Sequence, residues 1–212
     1  MFTIYDNEKE EYQKVEEPSP SYEYTYADYI GWKFLERLEL IRGRIFRLSA
    51  PSANHMSVSV NLTVRLYNFL KQNPCYVFAA PFDVRLPKKG KTADNEITTV
   101  VQPDLGVICD KSKIDYRGCC GAPDLVVEVI SPSNSEHDVR TKHKLYEEAG
   151  SPEYWIVDPD QEQLIVYLLN KEGKYKKGKL YAGDDIITST TITGFSVKAN
   201  DIFEDKIRRK NC

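Results

Sequence analysis

The chain has 212 residues, 41% of them apolar and 29% charged, enough for a proper buried core and too apolar for a disordered chain. Its formal net charge of −3 excludes a non-specific polybasic nucleic-acid binder but leaves room for a local basic groove. No run of about 18 apolar residues occurs, which excludes a transmembrane helix.

The acidic start MFTIYDNEKEEYQKVEE has no apolar core and is not expected to be a signal peptide. Five cysteines, two of them the adjacent Cys119 and Cys120, are then expected as reduced thiols in a cytoplasmic protein. No Cys-x-x-Cys pair occurs, so a structural zinc site is not expected.

Residues 1–24 hold seven acids with Pro18 and Pro20, and predict a flexible, solvated tail. A short helix is expected around Tyr26–Leu35. Leu38–Ile41 and Arg44–Leu48, joined at Arg42-Gly43, predict a hairpin. From Ala53 to Lys71 the apolar residues Val58, Val60, Leu62, Val64, Leu66, Phe69 and Leu70 suit an amphipathic helix, ended by Asn73-Pro74.

Strands are expected at Tyr76–Ala80, Asp83–Leu86 and Ile97–Val107, with PKKGKTADNE as a polar surface loop. Leu125–Ile130 is a β-branched apolar run carrying one acid, as in a central strand buried on both faces. Ser131-Pro132-Ser133 stops it; a helix follows from about Ser135 to Ala149, with Gly150 as its C-cap. Tyr154–Asp158 predicts another buried strand. Gln163–Leu169 and Lys174–Tyr181 flank a turn at Asn170–Gly173. Residues 205–212 form a basic tail, leaving 25–204 as one domain. The whole predicts an α/β protein with a mixed sheet and flanking helices. It lacks a Gly-rich phosphate loop and a G-x-S-x-G elbow, so nucleotide-fold and α/β-hydrolase readings lack their motifs.

The informative residues are acids within apolar strands. Asp104 lies in VVQPDLGVI and Glu128 in LVVEVI. An unpaired buried carboxylate costs several kcal/mol, so such groups are paired or bind a cation. Two acids on two core strands could converge as a hard-oxygen site for Mg²⁺ or Mn²⁺; equally, each could cap a turn at a strand end. On the following helix, Lys142 falls on the stripe of Val139, Leu145, Tyr146 and Ala149, and Lys144 does not. An inward lysine after a buried glutamate suggests a charge partner; the plainer alternative is a lysine snorkelling at the helix edge. Glu39 on the first hairpin and His55 near the start of the long helix are further candidates.

The segments ELIRGRIFRLSAPSANH, QPDLGVICD, GAPDLVVEVISPSN, DVRTKHKLYEEAGSPEYWIVD and TGFSVKANDIF, in this order, resemble the Uma-type (Uma-two) restriction endonuclease family of the PD-(D/E)XK nuclease-like superfamily. The likeness spans roughly 25–204 and is most specific from Gly121 to Asp158. It implies a restriction-endonuclease-like core, a mixed central sheet flanked by helices. It implies Asp104 as the motif aspartate and Glu128 as the motif (D/E), with Asp124 of Pro123-Asp124 as second choice for the aspartate. The motif lysine is absent two residues after Glu128, where Ile130 stands; Lys142 on the following helix matches its migrated place. Glu39 matches the acid of the E-L-I-x-G element, and His55 the histidine after S-x-P. Arg44 stands where relatives carry a second acid.

The resemblance implies a metal-dependent endonuclease hydrolysing DNA as a homodimer. Asp104, Glu128, the Val129 carbonyl and Glu39 would hold Mg²⁺ (or Mn²⁺). Lys142 would orient or deprotonate the attacking water, Glu39 could instead hold Lys142, and His55 could contact phosphate or water. Arg42, Arg44, Arg47, Lys88, Lys89 and Lys91 could meet DNA phosphates. The alternative is a catalytically inactive nuclease-fold protein serving as a binding or assembly module, which would not need the acid–acid–lysine set.

Overall fold

The structure is a computed structural model describing residues 2–6, 11–15, 22–32, 34–131 and 136–207. In chain order its elements are β1 (Phe2–Asp6), β2 (Glu11–Val15), α1 (Tyr26–Tyr29), β3 (Leu38–Ile41), β4 (Arg44–Arg47), α2 (Ala53–Leu70), β5 (Tyr76–Ala79), β6 (Val84–Arg85), β7 (Val100–Val101) and β8 (Leu105–Ile108). A 3₁₀ turn at Lys111–Lys113 leads to β9 (Ile114–Asp115), β10 (Gly118–Cys120), β11 (Leu125–Val129), α3 (Glu136–Ala149), β12 (Glu153–Asp158) and β13 (Gln163–Leu168). The chain closes with β14 (Lys179–Ala182), β15 (Ile186–Thr188), β16 (Ser196–Lys198) and α4 (Ala199–Ile202).

Two six-stranded sheets carry the site, one ordered β4-β3-β7-β6-β10-β9 and the other β14-β13-β12-β11-β8-β5. In the second, β11 runs parallel to β12 and antiparallel to β8, so the sheet is mixed as expected. Alternation along its central strands sorts the core into two layers. Leu125, Val127, Val129, Trp155 and Val157 pack with α2 and α4 on one face. Val126, Tyr154 and Ile156 pack on the other face with Leu145 and Tyr146 of α3 and with Ile41, Val84 and Val101 of the first sheet. Glu128, two residues from Val126, therefore points into the layer between the sheets.

The strand expected over Ile97–Val107 is two strands in two different sheets. Pro103 has no backbone N–H to give a ladder, and the chain crosses at Gln102-Pro103-Asp104 from β7 to β8. That crossing places Asp104 at the mouth of the interlayer space. In the first hairpin, Arg42 and Gly43 both take positive φ, 51° and 75°, the turn that matches strand twist. Ser52 caps α2 by accepting the His55 N–H at 3.2 Å, which fixes His55 in the first helical turn. Gly150 (φ 83°) closes α3, with Ser151 N–H donating to the Tyr146 carbonyl at 3.0 Å.

Other expectations need correction. The helix near Tyr26–Leu35 is a single turn, Tyr26–Tyr29. On α2 the buried stripe is Val58, Leu62, Leu66 and Leu70, while Val60 and Val64 are exposed on the opposite side. The expected N-terminal tail contains β1 and β2, paired antiparallel with each other, because F-T-I-Y and E-Y-Q-K-V are rich in strand formers despite the acids around them. Lys174–Lys177 is not strand; only Tyr175 bridges back, to Leu169. Pro132, Ser133 and residues 208–212 of the basic tail lie outside the described residues.

The reduced-thiol reading fails for one pair. The register Tyr76↔Ile108 continues to set Cys75 opposite Cys109 on adjacent antiparallel strands, and the two form a disulfide. Cys119 and Cys120 are free. Among the described residues, no helix is long and apolar enough to cross a membrane.

Candidate active site

The register of β8 on β11 pairs Val127 with Leu105, and its next step brings Asp104 opposite Glu128. Asp104 Oδ2 accepts the Val129 N–H at 2.7 Å, so this carboxylate also ties off the end of the ladder. From the first sheet, Glu39 on β3 enters the same space with Ile41, while Leu40 faces the opposite side. Glu39 is 2% exposed, and its Oε1 accepts the Gln102 N–H at 2.7 Å.

Lys142 of α3 reaches between the two sheets. Its Nζ donates to Glu39 Oε1 at 2.5 Å and to Glu128 Oε1 at 3.1 Å. Tyr146, one turn later and fully buried, donates its hydroxyl to the same Glu128 Oε1 at 2.6 Å. Lys144 points outward with its side chain 65% exposed, 4.0 Å from Glu148. The helical stripe thus separates the two lysines as expected.

His55 closes the cluster from α2. Its Nε2 lies 3.2 Å from Asp104 Oδ2, and its Nδ1 is buried with no partner among the described residues. Together these groups line a cavity of about 430 Å³, walled also by Arg37, Phe46, Arg47, Pro51 and Tyr154.

One ammonium bonds two of the three clustered carboxylates, and the electrostatics follow. Burial pushes the Glu128 carboxyl up to about 7; Lys142 pulls it down, but Asp104 and Glu39 push it up again. Burial works against a charged Lys142, yet Glu128 and Glu39 outweigh it and its pKa rises, so it stays an ammonium. Burial lowers the pKa of His55, but its hydrogen bond to Asp104 and the nearby carboxylates win, and the net shift is upward.

Among the described residues, no three His, Cys, Asp or Glu side chains are already drawn together as a cation cage. The donor set nonetheless suits a hard divalent ion. Asp104 Oδ1 and Glu128 Oε2 have no hydrogen-bond partner among the described residues, since Lys142, Tyr146, His55 and Val129 all engage the other oxygens. Glu39 is alike: both of its close contacts, Gln102 N–H and Lys142, use Oε1.

Asp124, the second choice for the aspartate, is elsewhere. Its Oδ2 accepts the Cys109 N–H at 2.7 Å, near the start of β11 rather than its end. Arg42 is paired with Glu148 at 2.7 Å. Lys88, Lys89 and Lys91 sit in the loop closing the β6–β7 hairpin, whose other end carries Gln102 and the cavity.

Three residues of consequence escaped the sequence reading. Tyr146 appeared only as a stripe residue; nothing in one sequence says that its hydroxyl meets Glu128. Gln102 was read only as part of a strand. Glu153 is completely buried and accepts from Trp155, Ser189, Thr190 and Thr191. Its place before the apolar run YWIV could have flagged it, as the same pattern flagged Glu128.

The fold is that of a restriction-endonuclease-like protein. A solved "putative nuclease belonging to DUF820" from Anabaena variabilis ATCC 29413 superposes with a TM-score of 0.68 at 18% identity, over 85% of this chain and 98% of that one, and shows the shared fold. The Uma2 family, described as "Putative restriction endonuclease", matches residues 26–200, and the chain belongs to it. The uncharacterized protein slr1290 of Synechocystis sp. (strain ATCC 27184 / PCC 6803 / Kazusa) is 25% identical over 175 residues, 80% of this chain and 87% of its own length.

Proposed function

We propose that the protein is a metal-dependent endonuclease that hydrolyses DNA phosphodiester bonds. The observation that carries this reading is the position of Lys142 Nζ, bonded to Glu39 and Glu128 beside the strand end that bears Asp104. A fold kept only as a binding module has no use for a buried lysine bonded to two acids beside a third.

Asp104, Glu128, the Val129 carbonyl and Glu39 would hold Mg²⁺ or Mn²⁺, with His55 facing phosphate or water. Such an ion, when bound, supplies charge neutralisation at the phosphate and a water of lowered pKa. The chain's own residues do the rest. Lys142 enters as an ammonium, so it orients the attacking water and offsets charge building on the phosphorane rather than removing a proton. Glu39 Oε1 holds that ammonium in place, and its other oxygen would serve the ion. Tyr146 and Lys142 together fix Glu128 by one oxygen and leave the other toward the cavity.

The reading includes a homodimer, so that two cavities serve two strands; sedimentation of the pure protein checks it. It also places the protein in the cytoplasm. The deciding experiment is nicking of supercoiled plasmid by pure protein with Mg²⁺ or Mn²⁺, against an EDTA control. Cleavage that needs the ion and disappears in Lys142→Ala supports the reading; no cleavage of duplex or single-stranded DNA with either ion sinks it.

A further inference from the structure

Arg37 stands at the rim of the cavity whose floor is Glu39, Glu128 and Asp104. The Leu48 N–H donates to the Arg37 carbonyl at 2.9 Å, so the first hairpin continues back through this residue. Arg37, Glu39 and Ile41 then alternate onto one strand face, and all three line the cavity. Arg37 is the exposed end of that row, roughly 7 Å along the strand from Glu39.

Its guanidinium is held differently from those of four other arginines. Arg42, Arg65, Arg85 and Arg117 each meet a carboxylate at 2.6–2.7 Å. Arg37 instead donates from Nε and Nη2 to the neutral side-chain oxygen of Gln102, at 3.2 and 3.0 Å. Gln102 is itself pinned: its Nε2 donates to Asp83 Oδ1 at 2.9 Å and to the Tyr29 hydroxyl at 3.2 Å. Its backbone N–H goes to Glu39. Every polar group of Gln102's side chain is used, so its orientation is set, and it aims an arginine without cancelling its charge. An exposed arginine otherwise loses much side-chain entropy on being ordered.

We infer that Arg37 is a phosphate clamp, binding a DNA phosphate that flanks the scissile one. The inference rests on the nuclease reading and adds to it a binding residue outside the metal and lysine set. It also answers an electrostatic problem: the floor holds three acids against Lys142 and would repel a polyanion, so a fixed cation at the rim is needed to seat it.

The test is binding of a fluorescein-labelled DNA duplex to the full-length protein, by anisotropy in Ca²⁺ over a series of salt concentrations. Arg37→Ala should weaken binding by roughly tenfold and reduce the slope of log affinity against log salt by about 0.9, one phosphate contact. Arg37→Lys keeps the charge but not the two-point hold on Gln102, so it should weaken binding while leaving the slope as in wild type. Lys144→Ala, an outward lysine, should change neither. If wild type binds and Arg37→Ala binds equally well with the same slope, the clamp is overturned and the nuclease reading stands. If wild type fails to bind duplex at low salt, the nuclease reading itself falls, and the clamp with it.

Discussion

Lys142 Nζ and Glu39 Oε1 lie 2.5 Å apart although 103 residues separate them in sequence. One comes from a helix packed on the second sheet, the other from a strand of the first. The bond therefore exists only when the two sheets and α3 are assembled, and it binds the site's formation to completion of the fold.

Removing the cation tests this. Lys142→Ala leaves Glu39 and Glu128 buried with no counter-charge, so the metal-free protein should lose about 3–5 kcal/mol of stability in urea unfolding at pH 8. Among molecules still folded, cleavage should fall by about two or more orders of magnitude, the scale of losing one transition-state stabiliser. Lys144→Ala should match wild type in both assays. Equal behaviour of the two variants would show that Lys142 has no special place.

The pH dependence of stability follows from Glu128. Its folded pKa is raised to about 7, above that of the unfolded chain, so the folded state keeps a proton that the unfolded state has released. The stability this contributes is full below about 4.5 and is lost as pH rises through about 7. In EDTA, the melting temperature should fall between pH 5 and pH 8 in wild type and fall less in Glu128→Gln, which keeps an acceptor for Lys142 and Tyr146. Mn²⁺ should raise the wild-type melting temperature more at pH 8 than at pH 5. A flat wild-type profile would mean that Glu128 is ionised throughout.

Tyr146→Phe removes one donor from Glu128 Oε1 and nothing else of size. Its effect should show as weaker Mn²⁺ binding, by about tenfold, since a hydrogen bond to a charged group is worth roughly 1.5–3 kcal/mol and part is recovered through Lys142. Tyr175→Phe is the control: its hydroxyl also makes a buried-side hydrogen bond, to the Ser151 carbonyl at 3.0 Å, but away from Glu128. Calorimetric titration of both variants with Mn²⁺ separates positioning of Glu128 from general loss of stability. Equal losses in the two would assign Tyr146 a structural role only.

The strands and helices that carry the site were legible because their signals are local. Alternation in LVVEVI and the four-residue step from Lys142 to Tyr146 are properties of a few neighbouring residues. What stayed hidden depends on the partner surface. A single apolar stretch from Ile97 to Val107 gave no sign that Pro103 would hand the chain from one sheet to another. The disulfide needs the register of β5 on β8, and Val60 and Val64 were indistinguishable in sequence from the valine that is buried, Val58. Asp104 and Glu128 were visible as acids in apolar runs, but their facing each other is a matter of register.

Burial of an acid in an apolar strand does not by itself mark a reactive group, and Glu153 provides the contrast. It is fully buried, yet it accepts from Trp155 Nε1 at 2.7 Å, Ser189 Oγ at 2.8 Å, and the backbone N–H groups of Thr190 and Thr191 at 3.0 and 2.9 Å. Both oxygens are engaged by neutral donors. Glu153 pairs with Leu125, three residues before Glu128 on the neighbouring strand, so the two residues are roughly 10 Å apart along the strands and their carboxylates lie on opposite faces of the sheet. Glu153→Ala would strand those donors without water, at a cost of about 3–5 kcal/mol, and should loosen the loop from Ser189 to Ile192. Glu153→Gln should also destabilise, because its amide nitrogen would face N–H groups. Neither change touches Glu128, Asp104 or Lys142. At a temperature where the variants stay folded, Mn²⁺ affinity and cleavage should remain within about twofold of wild type, while urea unfolding moves to much lower denaturant. Loss of Mn²⁺ binding in folded Glu153→Gln would place this acid in the site and contradict the division between a carboxylate saturated by donors and one left with an oxygen to offer.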